Sequence, residues 1–391
     1  MQECASQSGG DPPVRPRRAV HVSTVHSALD ARIFYREAAA LRDHGYQVTV
    51  VGVHPETGVI DGIAVQGLPA VRGRLGRMVR SWWRGLKAVR THPADIYHFH
   101  DPELMPAVVL ARWFWGKRVV YDAHEDVALI MLKDWIPRWL RRPLTWALGA
   151  ADAFVARRAD AVVVPTRLLH EKYARVARRV LTFINYPAPE FLAHRDAAWQ
   201  PADARRREVV HLGTLSLHRL ETVVGVARRF LARHEDWSWT LLGAHAYAEE
   251  WFRANVPDDL GGRLRVIGKV PHTEVPARLA AARLGINYHS LASRQIQVAI
   301  PLKVFEYLAC GLPVVSTRVP LLAELVEDCP AVAFADEAPD AYLAAVEAMA
   351  ARSDFATLSG EARRFSDERF NCRVEGDKLA AMYEDILGKA T

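Results

Sequence analysis

The chain alternates short apolar runs with longer amphipathic stretches. From residue 18, "RAVHVST" predicts a strand that ends near Thr24, "ARIFYREAAALRDHG" a helix closed by Gly45, and "QVTVVGV" a second strand. Four more strands are predicted over residues 95–100, 118–124, 161–166 and 181–186. Strands separated by helices of this length predict right-handed βαβ units and a parallel sheet.

The pattern then breaks and starts again. Residues 187–207 hold three prolines and no clean period, which predicts an interdomain connection. Further β-rich runs follow at 208–214, 239–244, 265–270, 284–289, 312–317 and 331–336, and an amphipathic helix closes the chain. We therefore expect an α/β fold of two doubly wound, Rossmann-like domains facing across a cleft. The predicted parts are a flexible tail (1–17), a first domain (18–187), a linker (188–207), a second domain (208–368) and a final helix (369–391).

Composition narrows the class of protein. The 391 residues are 50% hydrophobic and 25% charged, which excludes disorder as a description of the whole chain. No apolar run approaches the roughly 20 residues of a membrane-spanning helix, and the polar start lacks the features of a secretory signal. The four cysteines have neither metal-ligand nor redox spacing, so we expect a reducing, cytoplasmic compartment. The net charge of +6 allows an anionic partner, although a solvated Arg-rich surface explains it equally well.

The segment after the first strand carries neither G-x-G-x-x-G nor a P-loop motif. This argues against a dinucleotide-dependent oxidoreductase and a P-loop NTPase. Asp30 is in position to cap the following helix. Arg32 has two interpretations, a reach into the cleft or a pairing with Asp30.

Three polar residues end the strand at 95–100. His98 and His100 share one strand face, which suggests a metal pair, but the sequence shows no third ligand at a useful spacing and no Asp-X-Asp. We therefore expect no metal, and hydrogen bonds from His100 and Asp101 to a substrate. After the next strand, His124 follows Asp122, and a strand-end histidine beside carboxylates is suited to donate to a substrate hydroxyl.

The second half ends its first strand at Gly213 and Thr214, with Arg219 in the helix beyond. Glycine lets a ligand approach the backbone, a helix N-terminus favours phosphate, and arginine binds phosphate bidentately. Lys303 is predicted at the same end of the sheet, so the pair of cations suggests a diphosphate ligand.

Glu306 lies in an apolar helix, within "IPLKVFEYLACGLPVVST". A carboxylate at a buried helix–strand seam needs hydrogen-bond donors, and ribose hydroxyls are well matched to it. Pairing with Lys303, three residues earlier, or with a buried arginine is the structural alternative, and the pattern leaves both open.

"PLKVFEYLACGLPVVST" resembles the signature of retaining nucleotide-sugar glycosyltransferases of the GT-B fold, the group 1 or family 4 type. "HSALDARIFYREAAAL", "DIYHFHDPELMP", "RVVYDAHED", "VVHLGTLSLHR" and "VIGKVPHTEVPARLAAA" are similar to other blocks of that family, in the same order. The resemblance runs from Arg18 to the last helix, which in this family packs back on the N-terminal domain.

The resemblance implies transfer of a sugar from a UDP- or GDP-sugar to a hydroxyl acceptor, with retention and without a metal or cofactor. It assigns Glu306 to the donor ribose, Arg219 and Lys303 to the diphosphate, and His124 to the transferred sugar. Gly213 and Thr214 belong to the donor side, and Asp30, Arg32, His100 and Asp101 to the acceptor side. Polysaccharide biosynthesis is the expected setting, with no nucleic acid involved.

Three positions depart from the family pattern. The first acid of E-x7-E falls at Val298, the basic residue after the donor-domain glycine is Thr214, and the early Gly-Gly turn is missing. Two alternatives therefore stay open: a catalytically silent scaffold that activates a partner enzyme, and a nucleotide-sugar epimerase on the same fold.

Two segments mix tryptophan with arginine, at 71–90 and 132–146. Charge for anionic headgroups and indole for the lipid boundary are what an interfacial helix needs. They predict peripheral contact with the inner face of the cell membrane and are consistent with a lipid-linked acceptor. Ordinary packing and solvation by the same residue types is the alternative.

Overall fold

The computed structural model describes residues 15–70, 74–124, 137–292, 294–297 and 299–388. The chain divides into two compact units. Unit 1 comprises Met1–Val164, His170–Leu181 and Gly376–Thr391, and unit 2 comprises Pro165–Leu169 and Thr182–Glu375. Each unit is a Rossmann-like α/β domain and is described here separately.

Unit 1 is built on an eight-stranded sheet with strand order β3-β4-β2-β1-β5-β6-β7-β8. The central strand β1 pairs in parallel with β2 and β5, and only the edge pair β3/β4 is antiparallel among the registered pairs. The β3–β4 hairpin has no counterpart in the sequence prediction. The strands are β1 (Arg18–Ser27), β2 (Gln47–Val53), β3 (Gly58–Ile60), β4 (Ile63–Leu68), β5 (Ile96–Phe99), β6 (Arg118–Asp122), β7 (Ala161–Val164) and β8 (Val180–Thr182).

Helices cover the sheet of unit 1, and the first one differs from the prediction. The segment begins as a π-helical turn, Ile33–Ala38, and continues as α1 (Ala39–Asp43). Gly45 follows with φ +83°, the left-handed conformation expected of a glycine that ends a helix. The other helices are α2 (Arg74–Thr91), α3 (Met105–Phe114), α4 (Arg138–Arg158) and α5 (Arg167–Ala174), whose first residues belong to unit 2.

Unit 2 has a six-stranded, all-parallel sheet with order β11-β10-β9-β12-β13-β14. The order reverses between β9 and β12, and the carboxyl ends of two such strands form the crevice in which doubly wound sheets bind ligands. The strands are β9 (Arg206–Leu212), β10 (Ser238–Ala244), β11 (Leu264–Gly268), β12 (Ala282–Asn287), β13 (Val314–Thr317) and β14 (Val332–Ala335).

The stretch predicted as a linker, residues 188–207, contains a helix, α6 (Pro189–Ala197), and lies within unit 2. Phe191 is buried in the unit 2 core and Arg195 pairs with Asp367, so packing against distant residues orders a segment that has no period of its own. The remaining helices are α7 (Leu217–Arg233), α8 (Ala246–Asn255), α9 (Val275–Ala280), α10 (Arg294–Gln297), α11 (Lys303–Ala309), α12 (Pro320–Val326), α13 (Pro339–Ala350), α14 (Phe355–Arg369) and α15 (Cys372–Leu387).

The final helix α15 packs on unit 1 from Gly376 onward. A Cβ at Gly376 would lie 2.6 Å from Cβ of Ala40, so the glycine permits close contact between α15 and α1. Tyr383 contacts Nδ1 of His98 at 2.9 Å, and the Tyr46 hydroxyl donates to Glu384 at 2.6 Å. These contacts hold the end of the chain against the first domain.

Candidate active site

The carboxyl end of β9 turns sharply at Gly213, which has φ +89°. A Cβ built there would lie 4.0 Å from Nζ of Lys303, so the bare backbone faces the lysine. Leu212 N–H donates to the Tyr307 hydroxyl at 2.6 Å, and that hydroxyl donates to the Ile286 carbonyl at 3.1 Å. Helix α11 thereby fixes the ends of β9 and β12 beside each other.

Lys303 contacts a buried histidine. Its Nζ lies 3.0 Å from Nε2 of His211, which must accept because an ammonium group only donates. Burial, and then the neighbouring Arg219, lower the pKa of Lys303 to about 7. Burial and Lys303 also hold the pKa of His211 well below its ordinary value, so this imidazole is neutral.

Arg219, the third residue of α7, also contacts a histidine. Its guanidinium lies 2.9 Å from Nδ1 of His289, and its Nε donates to Ser216 at 3.1 Å. Burial, then Lys303 and Arg219, lower the pKa of His289 to about 3. Both cations of the site therefore contact neutral rings.

Among the described residues, Lys303 and Arg219 contact His211 and His289, and neither cation forms an ion pair with a carboxylate. Two cations close to the reversal point of a parallel sheet, beside a glycine turn and the start of a long helix, form an anion-binding arrangement. Burial and Arg219 lower the pKa of Lys303 more than the nearby Glu306 raises it, so the charge of Lys303 is only partly compensated.

Glu306 has only 14% of its side chain exposed, and its ion-pair partner in the described part of the chain is His272, at 3.5 Å. The structural alternative from the sequence, a pair with Lys303 or a buried arginine, is not formed. Thr214 is exposed beside Gly213. Val298, the position of the missing acid, lies outside the described residues.

In unit 1, polar side chains gather at the carboxyl ends of β1, β5 and β6. Nε2 of His124 lies 2.9 Å from Oδ2 of Asp122, and 21% of the His124 side chain is exposed. Burial alone would raise the pKa of Asp122, but Arg32, His124 and His100 hold it well below its ordinary value. An ionised Asp122 accepts the Nε2 proton of His124, which leaves Nδ1 of that ring as the nitrogen available to a ligand.

The main partners of Arg32 are residues that the sequence analysis did not name as its partners. It is buried and its guanidinium donates twice to Asp122, at 2.9 and 3.0 Å, with Glu37 as a second ion-pair partner. Asp30 does cap the following turn, because its Oδ1 accepts from the backbone of Arg32 at 2.8 Å and Ile33 at 3.2 Å. Arg32 therefore anchors Asp122 inside the domain.

His100 and Asp101, expected on the acceptor side, are also buried. Asp101 accepts from the Ser23 hydroxyl at 3.1 Å and from the backbone of Val25 at 3.1 Å, so it ties the end of β1 to β5. His100 contacts Asp122 at 3.0 Å through Nδ1. These are contacts within unit 1, and the hydrogen bonds to a substrate stay a prediction.

Sequence reasoning missed the partners of these residues. These partners are buried: His211, His21, Glu37 and Tyr383 lie in largely apolar strands and helices, and His289 follows β12. A polar residue on the buried face of a predicted strand was the available signal, because such a residue needs a partner.

Two family models match the chain. The glycosyl transferase 4-like domain matches residues 31–187, and glycosyl transferases group 1 matches residues 206–352. The two matches follow each other along most of the chain and correspond to its two Rossmann-like domains. The protein therefore belongs to the group 1 glycosyltransferases, with a 4-like N-terminal domain. Among curated proteins, no sequence matches it.

Solved structures of similar fold include three sugar-transferring or nucleotide-sugar-bound proteins. Sucrose-phosphate synthase from Thermosynechococcus elongatus is 16% identical, with TM-score 0.67 over 96% of this chain and 100% of that one. The catalytic domain of starch synthase IV from Arabidopsis thaliana, bound to ADP and acarbose, is 11% identical, with TM-score 0.64 over 96% and 100%. Anabaena HepE in complex with UDP-glucose is 15% identical, with TM-score 0.63 over 94% and 100%. At these identities the likeness establishes the fold, which is GT-B.

Proposed function

We propose that this glycosyltransferase moves a sugar from a UDP- or GDP-sugar to a hydroxyl of a glycan or lipid-linked acceptor, with retention of the anomeric configuration. The observation that carries the proposal is the pair of cations, Arg219 and Lys303, without a carboxylate partner among the described residues. A donor diphosphate supplies the missing negative charge. The nucleotide-bound relatives of the same fold make a nucleoside diphosphate the natural anion.

In the transfer step, negative charge develops on the departing diphosphate. Lys303, Arg219 and the N-terminal N–H groups of α7 stabilise that charge, which is the usual largest contribution to such catalysis. These groups need no metal ion for this role. A donor phosphate oxygen takes the proton of the attacking hydroxyl on the same face of the sugar, which gives retention.

The other assignments follow from the chemistry of each side chain. Glu306 accepts from the ribose hydroxyls, since its only ion-pair partner in the described chain is a histidine at 3.5 Å. Gly213 and Thr214 line the diphosphate with their backbone. His124, oriented by Asp122, is the hydrogen-bond donor or acceptor for the transferred sugar.

We further propose that unit 1 contacts an anionic membrane from its cytoplasmic side. Trp83 on α2 and Trp139 and Trp146 on α4 are 68%, 76% and 77% exposed. Between these helices, α3 exposes Trp113 and Phe114, and the Arg158 guanidinium lies 4.5 Å from the Trp113 ring. Exposed indole beside arginine is the composition of an interfacial surface. In the described part of the chain no helix has the length and apolarity to span a bilayer.

Donor turnover without acceptor tests the proposed reaction. The full chain is incubated with UDP-, GDP- and ADP-sugars, and release of nucleoside diphosphate is measured. We expect slow release with one donor class, reduced about a hundredfold in Lys303→Met and unchanged in Arg229→Gln, an exposed arginine of α7. No release with any donor, with or without glycan acceptors, would favour the silent scaffold. Conversion of the donor sugar itself would favour the epimerase, and the anomeric proton of a product reports retention.

A further inference from the structure

Three histidines form a triangle on one face of the unit 1 sheet. His98 and His100 are two residues apart on and just after β5, so they share a face, and His21 on β1 is the register partner of His98. The ring centroids are 4.8 Å apart for His21 and His98, 5.1 Å for His21 and His100, and 4.5 Å for His98 and His100. Two imidazoles that bind one ion have metal–nitrogen distances of about 2.0–2.1 Å and a nitrogen–metal–nitrogen angle of about 90–110°. Their ring centroids are then roughly 4.5–5.3 Å apart.

Glu37, on the π-helical turn, completes the group. Its Oε2 lies 3.9, 3.8 and 3.9 Å from Nδ1 of His21, His98 and His100. All four side chains have a possible ligand atom within 4.8 Å of one another. Each of them is completely buried.

The group has polar atoms that the protein does not satisfy. Within the described chain, Nε2 of His21, Nε2 of His98 and both Glu37 oxygens form no hydrogen bond, although Glu37 is ion-paired with Arg32. Buried polar atoms without a hydrogen bond are rare in native proteins and call for an explanation. A bound cation explains Nε2 of His98 and Oε2 of Glu37, because each of these two atoms can offer it a lone pair.

The contacts around the group are those of metal-bound histidines. Nδ1 of His100 lies 3.0 Å from Asp122 and Nδ1 of His98 lies 2.9 Å from the Tyr383 hydroxyl. Histidines that bind metals usually donate their second ring N–H to such a group, which leaves the other nitrogen as the ligand. Nδ1 of His21 and Nε2 of His100 are 2.9 Å apart. Two nitrogen ligands of one ion have about this separation when the nitrogen–metal–nitrogen angle is about 90°.

We propose that His21, Glu37, His98 and His100 bind one divalent transition-metal ion, Zn²⁺ in the first instance, inside unit 1. Three neutral imidazoles and a carboxylate are ligands that Zn²⁺ favours, and burial keeps the rings neutral. Since all four ligands are buried, the ion stabilises the domain and does not contact substrate. The sequence expectation of no metal rested on a missing third ligand, and His21 and Glu37 supply the third and fourth from the first βα unit. The inference is independent of the donor-binding proposal.

Metal content of the untagged full chain tests the proposal directly. The protein is purified without chelators and its metals are counted, then it is stripped with dipicolinate and titrated with Zn²⁺ against a chromophoric chelator. We expect about one equivalent per chain and a thermal transition that rises by a few degrees with Zn²⁺, because the ion binds only the folded state. Less than a tenth of an equivalent in the purified protein, together with no thermal shift in the stripped protein, would overturn the proposal.

Variants locate the ion. His98→Gln should weaken Zn²⁺ affinity at least about a hundredfold and Tyr383→Phe about tenfold, since outer contacts contribute less than ligands. His194→Gln, an exposed histidine of unit 2, should bind like the unmodified chain. If His98→Gln does not fold, Tyr383→Phe and the visible spectrum of the Co²⁺-loaded unmodified chain decide, with four-coordinate bands expected. Unchanged affinity in Tyr383→Phe together with a six-coordinate, water-rich spectrum would indicate a surface site and refute the assignment.

Discussion

At the scale of single residues, Lys303 connects burial to ligand binding. Its pKa is about 7 in the free protein, because of burial and then Arg219, so above that pH the side chain is largely neutral. A diphosphate favours the charged ammonium and raises this pKa, so binding above pH 7 takes up a proton. The affinity for UDP or GDP should fall up to about tenfold per pH unit between about 7 and 9.

Calorimetry at pH 8 in buffers of different ionisation enthalpy measures this proton uptake. Lys303→Arg keeps its charge over the whole range and should abolish both the uptake and the pH dependence. Binding that is independent of pH in the unmodified chain would show that Lys303 does not face the phosphates.

His124 should act on the reaction more than on binding. Its contact with Asp122 at 2.9 Å fixes the ring, and a group near the reacting sugar contributes most as charge develops. We expect His124→Ala to lower kcat about a hundredfold with little change in donor affinity. His194→Ala is the control, and equal kcat in both variants would remove His124 from the site.

Sequence reasoning at this scale selected site residues that follow strands, and it did not find their distant partners. Arg219 and Lys303 could be selected because the ends of parallel strands meet at one edge of a sheet, and Glu306 because a carboxylate in an apolar helix needs hydrogen-bond donors. Nothing in the sequence pairs Lys303 with His211 or Arg32 with Asp122, since these contacts depend on strand register and on the angle of a helix. The pairing of Arg32 with Asp122 was therefore not predicted.

At the scale of elements, the docking of α15 on unit 1 depends on Gly376. An added methyl group would meet Ala40 at 2.6 Å, closer than side-chain carbons approach, so the two helices must separate. We expect Gly376→Ala to lower the free energy of unfolding by about 1–3 kcal/mol. Gly360→Ala is the matched control, because nothing lies within 4 Å there and helix propensity favours alanine by about 0.5–1 kcal/mol.

Denaturant unfolding of both glycine variants measures the difference. A Gly376→Ala variant as stable as Gly360→Ala would mean that α15 does not pack tightly on α1.

Periodicity predicted most strands and helices but not their local form. The first helix reads as one amphipathic segment, yet it opens with a π-helical turn in which Glu37 N–H donates to the Arg32 carbonyl at 3.0 Å. The extra residue in that turn brings Glu37 toward the three buried histidines. The ion pair between Glu37 and Arg32 is a buried polar contact within this turn. Hydrophobic periodicity carries no information about such a contact, so it predicts a regular α-helix here.

At the scale of the whole molecule, the exposed tryptophans predict salt-sensitive membrane binding. Each Lys or Arg near an anionic surface contributes about 1 kcal/mol, so the full chain should sediment with anionic vesicles at low salt and less at high salt. Replacing Trp139 and Trp146 together by serine should reduce the bound fraction several-fold. Val59→Ser, at an exposed position on the sheet edge, is the control.

Equal recovery in the supernatant with anionic and neutral vesicles, at both salt concentrations, would contradict membrane attachment. It would point to an acceptor that is not lipid-linked.

The central claim is that unit 2 binds a nucleoside diphosphate, and isothermal titration of the full chain with UDP, GDP and ADP tests it most directly. We predict saturable binding of at least one of them, weakened about ten- to a hundredfold in Glu306→Gln, because a charge-assisted hydrogen bond contributes about 1.5–3 kcal/mol. Glu368→Gln, an exposed glutamate of α14, should bind like the unmodified chain. The absence of binding by all three nucleotides at millimolar concentration, with a folded protein, would contradict the account.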